Sequence, residues 1–215
     1  FENTELPGNR LELDAPDGNP GPVNVLDNGA PGVIGNIRNI TFGPTNDASS
    51  IIIEVGILSV NNNSGSNAPL NLFYNANGAG LNLDFTNVSE FLFNLIQNDL
   101  PGTFLEIILT DADSNSAQRV SELPVVGGGM QTDVEYPLSE FSGIGGLDLS
   151  NIFSIEFRFN SVGDNRDYRF TFPEICETPT RDVPTLSEWG LIAMAGVLGV
   201  VAFMVMRRRK LAINQ

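Results

Sequence analysis

The sequence predicts an all-β fold, an antiparallel sandwich or barrel, followed by one C-terminal transmembrane helix. Apolar and polar residues alternate with a period of two in several short segments, as expected of half-buried strands. Clusters of Gly, Asn, Asp and Ser separate these segments, which is typical of an antiparallel sheet built from short strands. Near the C-terminus an apolar run without charge extends from Trp189 to Met206, and its length is close to the roughly 20 residues of a membrane-spanning helix.

The strands follow one another in chain order after a first segment that lacks clear periodicity. Residues 1–32 are crowded with turn formers, which predicts a loose N-terminal arm or one early strand. Residues 33–176 are expected to form the β-sandwich ectodomain. Segment 88–98 is compatible with a short helix or a strand. The segments with alternating polarity are 51–57, 81–86, 105–110, 153–160 and 168–172.

The last two of these segments are predicted to pair as a hairpin. Their Phe and Tyr residues have to face the same side, which leaves two candidate registers. Charge favours the register that sets Glu156 opposite Arg169 and Arg158 opposite Asp167, since the other register opposes Arg158 and Arg169.

Composition excludes several classes of function. The chain has 215 residues, no His and one Cys. Ser-His-Asp and Cys-His catalytic groups, imidazole-based zinc sites, four-thiolate sites and an internal disulfide framework are therefore excluded. The formal charge of −15 predicts that the bulk of the chain repels nucleic acid.

One acidic motif has the spacing of a calcium loop. Asp111, Asp113, Asn115 and Glu122 match that pattern, although Ser116 stands where a sharp turn favours Gly. A β-type segment precedes the motif and residues 117–123 resemble a returning strand, so a hairpin turn with local hydrogen bonds is the favoured interpretation. Calcium at these four residues is the alternative cofactor prediction. Asp164 and Asp167 form a second, less defined candidate.

No catalytic residue and no cofactor-binding residue is predicted. A glycan hydrolase using an Asp/Glu pair is the alternative, because glycosidases need two carboxylates across a cleft, and Glu54 and Glu106 lie unusually within apolar segments. With one Trp and three Tyr, a flat aromatic platform for polysaccharide is not expected. A polar pocket lined by Asn, Asp and Arg remains open for glycan binding, as does calcium-dependent assembly at the surface. Cys176, at the end of the last strand, is expected to be a small buried apolar residue, and pairing with a second chain is the alternative.

The C-terminal segment has three parts. Residues 177–188 form a stalk and the start of a sorting motif, residues 189–206 the predicted transmembrane helix, and residues 207–215 a basic tail. The helix is rich in small residues, as membrane helices are. The positive-inside rule places the tail in the cytoplasm and the acidic bulk outside. The charged residues that stop the span are Arg207, Arg208, Arg209 and Lys210.

The residues before the span resemble a known sorting signal. The sequence VPTLSEWG at 183–190, followed by an apolar span and a basic end, resembles the IPTL-CTERM signal, whose motif reads IPTLxxWG. The matching positions are Val183, with Val in place of Ile, Pro184, Thr185, Leu186, Trp189 and Gly190. The resemblance implies an exported protein of a Gram-negative bacterium, held first in the inner membrane and cut near the motif by an exosortase-type protease. Pro184 favours an extended segment there.

A second, weaker resemblance concerns the ectodomain. Segments VIGNIRNI at 33–40 and LNLDFT at 81–86, together with the ending that leads to YRFTFPEI at 168–175, resemble galactose-binding-like jelly rolls. This implies a jelly-roll β-sandwich. The combined expectation is a non-enzymatic cell-surface or extracellular protein that contacts matrix or envelope components or binds glycans weakly.

Overall fold

The computed structural model describes residues 10–14, 23–28, 37–43, 49–54, 56–62, 68–127, 129–161 and 166–178. The chain divides into two units, Phe1–Thr178 and Pro179–Gln215. Every described residue belongs to the first unit.

The described residues form thirteen β-strands and a few short 3₁₀ turns. Their bounds are β1 Arg10–Asp14, β2 Val23–Asn28, β3 Ile37–Phe42, β4 Ser49–Glu54, β5 Ile57–Asn62, β6 Leu70–Tyr74, β7 Val88–Asn98, β8 Thr103–Asp111, β9 Ser116–Glu122, β10 Thr132–Pro137, β11 Ile152–Ser161, β12 Tyr168–Thr171 and β13 Glu174–Glu177.

These strands build two antiparallel sheets. Among the described residues, the first sheet has seven strands in the order β1-β4-β5-β12-β7-β10, with β13 also paired to β7. The second sheet has six strands in the order β2-β3-β6-β11-β8-β9. An all-β antiparallel fold is therefore confirmed, and a jelly-roll-like sandwich is consistent with it.

The core lies between the two sheets and is rich in aromatic rings. Phe157 of β11 meets Phe93 of β7 edge to face, with ring centroids 5.7 Å apart. Phe159 stacks on Phe170 of β12 at 4.6 Å. These side chains are almost completely buried, and such pairs add about 0.5–1.5 kcal/mol to the free energy gained from burial. The predicted inward face of segments 153–160 and 168–172 is thus confirmed for these rings. It is wrong at the start of β11, where a bulge between Ile152 and Ser154 buries Ser154 and leaves Phe153 half-buried.

The predicted hairpin between these two segments is wrong. β11 belongs to the second sheet and β12 to the first. Arg158 lies across from Asn71 and Glu106, whereas Arg169 lies across from Ser59 and Gln97. The apolar faces coincide because they meet across the core, not because the strands are hydrogen-bonded to each other.

Three other expectations need correction. The N-terminal segment 1–32 contains β1 and β2, each paired into a sheet, so it is more than a loose arm. The alternating run 51–57 is divided by a turn at Gly56 into β4 and β5. Segment 81–86 makes one isolated bridge, between Leu83 and Ile152, instead of a strand. Segment 88–98, left between helix and strand, is β7.

The predicted transmembrane helix at 189–206 lies outside the described residues. Within the described part of the chain, no helix is long and apolar enough to cross a membrane.

Candidate functional site

A groove of about 550 Å³ lies on the outer face of the second sheet. Its floor is a row of residues that are neighbours across five strands. Because adjacent strands lie about 4.8 Å apart, the row runs perpendicular to the strands. In order from β3 to β9 the row consists of Thr41, Asn71, Arg158, Glu106 and Val120.

Arg158 is the centre of this floor. Its Nε and Nη2 donate to the two carboxylate oxygens of Glu156 at 2.8 and 2.9 Å. Its Nη1 donates to Glu106 at 3.3 Å. The hydrogen bonds that Arg158 donates to Glu156 raise the pKa of Arg158, so the guanidinium is charged at any physiological pH. A guanidinium held by two carboxylates has a fixed orientation, which suits directional hydrogen bonding.

Asn71 extends the network towards β3. Its Nδ2 donates to Glu156, and the side chain is half-buried. The amide and the guanidinium therefore share one carboxylate. This arrangement fixes the rotamers of all three side chains before any ligand arrives, which lowers the ordering cost of binding.

Apolar surface borders the polar floor. Phe104 is half-buried on β8 beside exposed Asn160, Val120 is 55% exposed on the edge strand β9, and Pro69 borders the groove on the other side. A site with fixed polar groups and a few apolar contacts resembles the general make-up of small-ligand pockets.

The charge of the groove is close to balanced. Arg158 is the only Lys or Arg among the described residues that line it, and it is paired with both Glu106 and Glu156. An anionic ligand would have to compete with these carboxylates. The groove is therefore better suited to a neutral polar ligand.

The four residues of the calcium-type motif are not brought together. Asp111 ends β8, and Glu122 ends β9 across from Phe104, so the two lie at opposite ends of the β8–β9 hairpin. Glu122 accepts a hydrogen bond from the Gly102 N–H at 2.7 Å instead. Asp113 and Asn115 lie in the exposed turn. The hairpin turn and the returning strand are confirmed, and the predicted calcium set does not form one site.

Asp111 has a structural role in that turn. Its carboxylate accepts hydrogen bonds from the backbone N–H of Asp113, Asn115 and Asp148 at 2.8–3.0 Å, and from the Asn115 side chain. The bond from Asp148, followed by that from Asn115, lowers the pKa of Asp111. A carboxylate that accepts this many hydrogen bonds from the protein stabilises the turn. The sequence analysis favoured such a turn with local hydrogen bonds over a calcium site. Within the described residues, no group of three or more Asp, Glu or Cys is placed to hold a metal ion.

The other sequence candidates have different surroundings. Glu54 is exposed beside a turn, and Glu106 is in the groove. Cys176 is a free thiol on β13 and is half-buried, not fully buried as expected. Desolvation, followed by the charges of nearby carboxylates, raises its pKa. Asp164 lies outside the described residues. Asn71 and Asn160 are not predicted from the sequence as site residues, although the polar positions 156, 158 and 160 of one strand share its outer face.

The residues of the sorting motif and the basic stop, from Val183 to Gly190 and from Arg207 to Lys210, lie outside the described part of the chain. These residues can be compared with known families by sequence. Residues 183–209 match the model of the IPTL-CTERM motif. No curated protein matches the chain.

Solved structures show distant similarity. PfGH50B is 15% identical, with a TM-score of 0.44 over 66% of this chain, which spans only 23% of that protein. A family 11 carbohydrate-binding module of the cellulase Lic26A-Cel5E from Clostridium thermocellum is 12% identical over 82% of this chain and 99% of the module, with a TM-score of 0.38. An exo-β-agarase is 15% identical over 85% of this chain and 25% of the enzyme, with a TM-score of 0.40.

These TM-scores all lie below 0.5. The sorting motif needs no such similarity in fold, because it is matched in sequence. The chain carries the IPTL-CTERM motif at residues 183–209, which indicates an exported protein anchored at the cell surface.

Proposed function

We propose that this protein is a surface-displayed module that binds a neutral glycan weakly in the groove of the second sheet. The observation that carries the proposal is the floor of Asn71, Arg158 and Glu106, which presents fixed donors and acceptors without surplus charge. Sugar hydroxyls both donate and accept hydrogen bonds, so a mixed set of amide, guanidinium and carboxylate groups is complementary to them.

The apolar border supports the same ligand class. The half-buried ring of Phe104 lies on the neighbouring strand to Asn160, so that an apolar face and a polar edge are offered side by side. Sugar rings have the same division between C–H faces and hydroxyl edges. The small exposed aromatic area is consistent with weak affinity.

The test is a paired substitution. We expect wild-type protein, screened on an array of neutral polysaccharides, to bind at least one of them and to lose about tenfold or more in affinity in Arg158→Ala, since a hydrogen bond to a charged group contributes about 1.5–3 kcal/mol. Arg169→Ala is the matched control, because Arg169 is exposed on the other sheet and lies outside the groove. Equal loss in both variants, or no binding to any neutral glycan, would refute the proposal.

The proposed binding is not catalytic. Glu106 and Glu156 both contact the Arg158 guanidinium, an arrangement that holds the arginine in place. A glycosidase needs one carboxyl group free to protonate the leaving oxygen. The rival hypothesis of a hydrolase predicts new reducing ends when a bound glycan is incubated with the protein, and loss of that activity in Glu106→Gln.

Export and anchoring form the second part of the proposal. We propose that the uncharged run 189–206 spans the membrane with its basic end in the cytoplasm, and that an exosortase-type membrane protease of a Gram-negative cell cuts near residues 183–190. The matched motif, the uncharged run and the cluster Arg207–Lys210 support this order of events.

A further inference from the structure

The end of the groove at β9 is formed by an exposed apolar residue, Val120. Among the described residues, four large apolar side chains are exposed, and Val120 is the only one of them that lies in a strand. The other outward positions of β9 hold polar residues, Ser116, Gln118 and Glu122. Polar or charged side chains are typical of an edge strand. The exception at Val120 occurs where β9 borders the groove.

Val120 is a close neighbour of Glu106. The two residues are paired across β8 and β9. Three positions along the same ladder, Leu123 donates its backbone N–H to the carbonyl of Thr103. Because hydrogen-bonded and non-hydrogen-bonded pairs alternate in an antiparallel ladder, Glu106 and Val120 form a non-hydrogen-bonded pair, whose Cα atoms lie only about 4.5 Å apart. A carboxylate and an apolar side chain therefore lie side by side at this end of the groove.

Phe104 widens the apolar surface. It lies two residues before Glu106 on β8, on the same face of the sheet, and is half-buried. Since Phe104 is paired with Glu122, it is a diagonal neighbour of Val120, at a separation within reach of an aromatic side chain. A ligand group placed between Phe104 and Val120 contacts carbon atoms and lies beside the Glu106 carboxylate.

Glu106 is the carboxylate of the groove that is able to accept a hydrogen bond from a ligand. Both oxygens of Glu156 accept from Arg158, and one of them also accepts from Asn71. In Glu106, Oε2 accepts from Arg158 at 3.3 Å, which leaves Oε1 as an acceptor. The side chain of Glu106 is also more exposed than that of Glu156, at 24% against 15%. We therefore expect a donor group of the ligand at Glu106.

We propose that the groove selects glycans with acetamido groups, that is, N-acetylhexosamine units, an inference that rests on the glycan binding proposed above. A secondary amide is planar and trans, so its N–H and its methyl group lie on the same side. The N–H donates to Glu106, and the methyl group packs against Val120 and Phe104. The acetamido group is neutral, so the charge balance of the groove is kept. The hydroxyl group of an ordinary hexose supplies the donor but no apolar part.

Two tetrasaccharides test this selectivity. N-acetylchitotetraose and cellotetraose share a β-1,4-linked backbone and differ at C2, which carries an acetamido group in the first and a hydroxyl group in the second. In calorimetry with the full chain in mild detergent, we expect N-acetylchitotetraose to bind about fourfold or more tightly, because its methyl groups are removed from water. Val120→Thr replaces a methyl group with a hydroxyl group at an exposed position, so this variant is expected to fold and to lose the preference.

Val125→Thr is the matched control. Val125 is 54% exposed, close to the 55% of Val120, and is not among the residues that line the groove. We expect this variant to keep the affinity of wild type for both tetrasaccharides.

Three results would overturn the proposed selectivity: equal affinity for the two tetrasaccharides, the same loss of preference in both variants, or a wild-type dimer that dissociates in Val120→Thr, which would assign Val120 to a contact between copies. Arg158-dependent binding that is confined to glycans without acetamido groups would also overturn it, while the glycan binding itself would stand. If no neutral glycan binds, both proposals fail together.

Discussion

Among single residues, buried tyrosines set a limit on alkaline stability. Tyr136 on β10 packs edge to face against Phe93 at 5.4 Å and lies beneath the Arg119 guanidinium. Burial raises its pKa to about 12 from the ordinary value of 10.0. Because the folded state binds this proton more tightly than the unfolded state, the contribution to stability is complete below pH 10 and is lost as pH rises to about 12.

This gives a prediction for Tyr136→Phe. Two pKa units correspond to roughly 2–3 kcal/mol of unfolding free energy. Between pH 10 and 12, the unfolding free energy of the variant should therefore fall by that much less than the unfolding free energy of wild type. Urea unfolding at a series of pH values measures it. Burial raises the pKa of Tyr168 as well, so some alkaline loss should persist. Identical pH profiles for the two proteins would contradict the role of Tyr136.

Among the structural elements, the segment after β10 is held against the edge of β9. Ser142 and Gln118 exchange two backbone hydrogen bonds, of 2.8 and 2.9 Å. Gly143 follows with φ +90°, and a Cβ at this position would approach the Ser116 carbonyl oxygen to 2.6 Å. Only a glycine permits both the backbone conformation and the close approach.

Gly143→Ala should therefore destabilise the protein. The left-handed backbone alone costs about 1–2 kcal/mol, and the contact with Ser116 adds to it, so the Tm should fall by roughly 4 °C or more. Gly145→Ala is the control, since a Cβ there meets nothing within 4 Å. Differential scanning calorimetry on both variants makes the comparison, and a similar Tm for the two would show that the close approach is not limiting.

The strands also show which features of the fold can be predicted from the sequence. Alternation correctly assigned Phe157, Phe159 and Phe170 to the core, because a period of two fixes which face a side chain occupies. It does not fix the partner strand, so the predicted β11–β12 hairpin failed. The sequence of the run 51–57 contains no sign of the break at Gly56, because Gly56 follows Val and the pair lacks the Asn-Gly or Asp-Gly signal of a tight turn.

The groove could not be predicted from the sequence, because alternation does not determine which strands are neighbours. Its floor comes from β3, β6, β11, β8 and β9, and the order of these strands in the sheet differs from their order in the chain. The predicted partner of Arg158 is therefore Asp167 on the next segment, whereas the structure pairs Arg158 with Glu106. The β8–β9 hairpin, which is local in sequence, was predicted correctly together with its turn at Asp111–Asn115.

For the whole molecule, the sorting motif leads to a prediction about mass. Protein recovered from the native cell surface or culture medium should lack the segment C-terminal to a point within about residues 183–190, because the IPTL-CTERM match ends in a basic segment that would remain in the cytoplasm. Intact mass spectrometry measures this. A mass that includes Gln215 would show that the C-terminal segment is retained and would contradict the proposed cleavage.

The strand order has a consequence for the time at which the sandwich can be completed. β12 lies between β5 and β7, and β11 lies between β6 and β8, so the middle of each sheet comes from residues 152–171. A chain without these residues has two separate parts in each sheet, which residues 152–171 have to join. Topologies with many contacts between distant residues fold slowly. The sandwich should therefore close only after β11 and β12 have been synthesised, and a chain that ends before residue 152 should not fold.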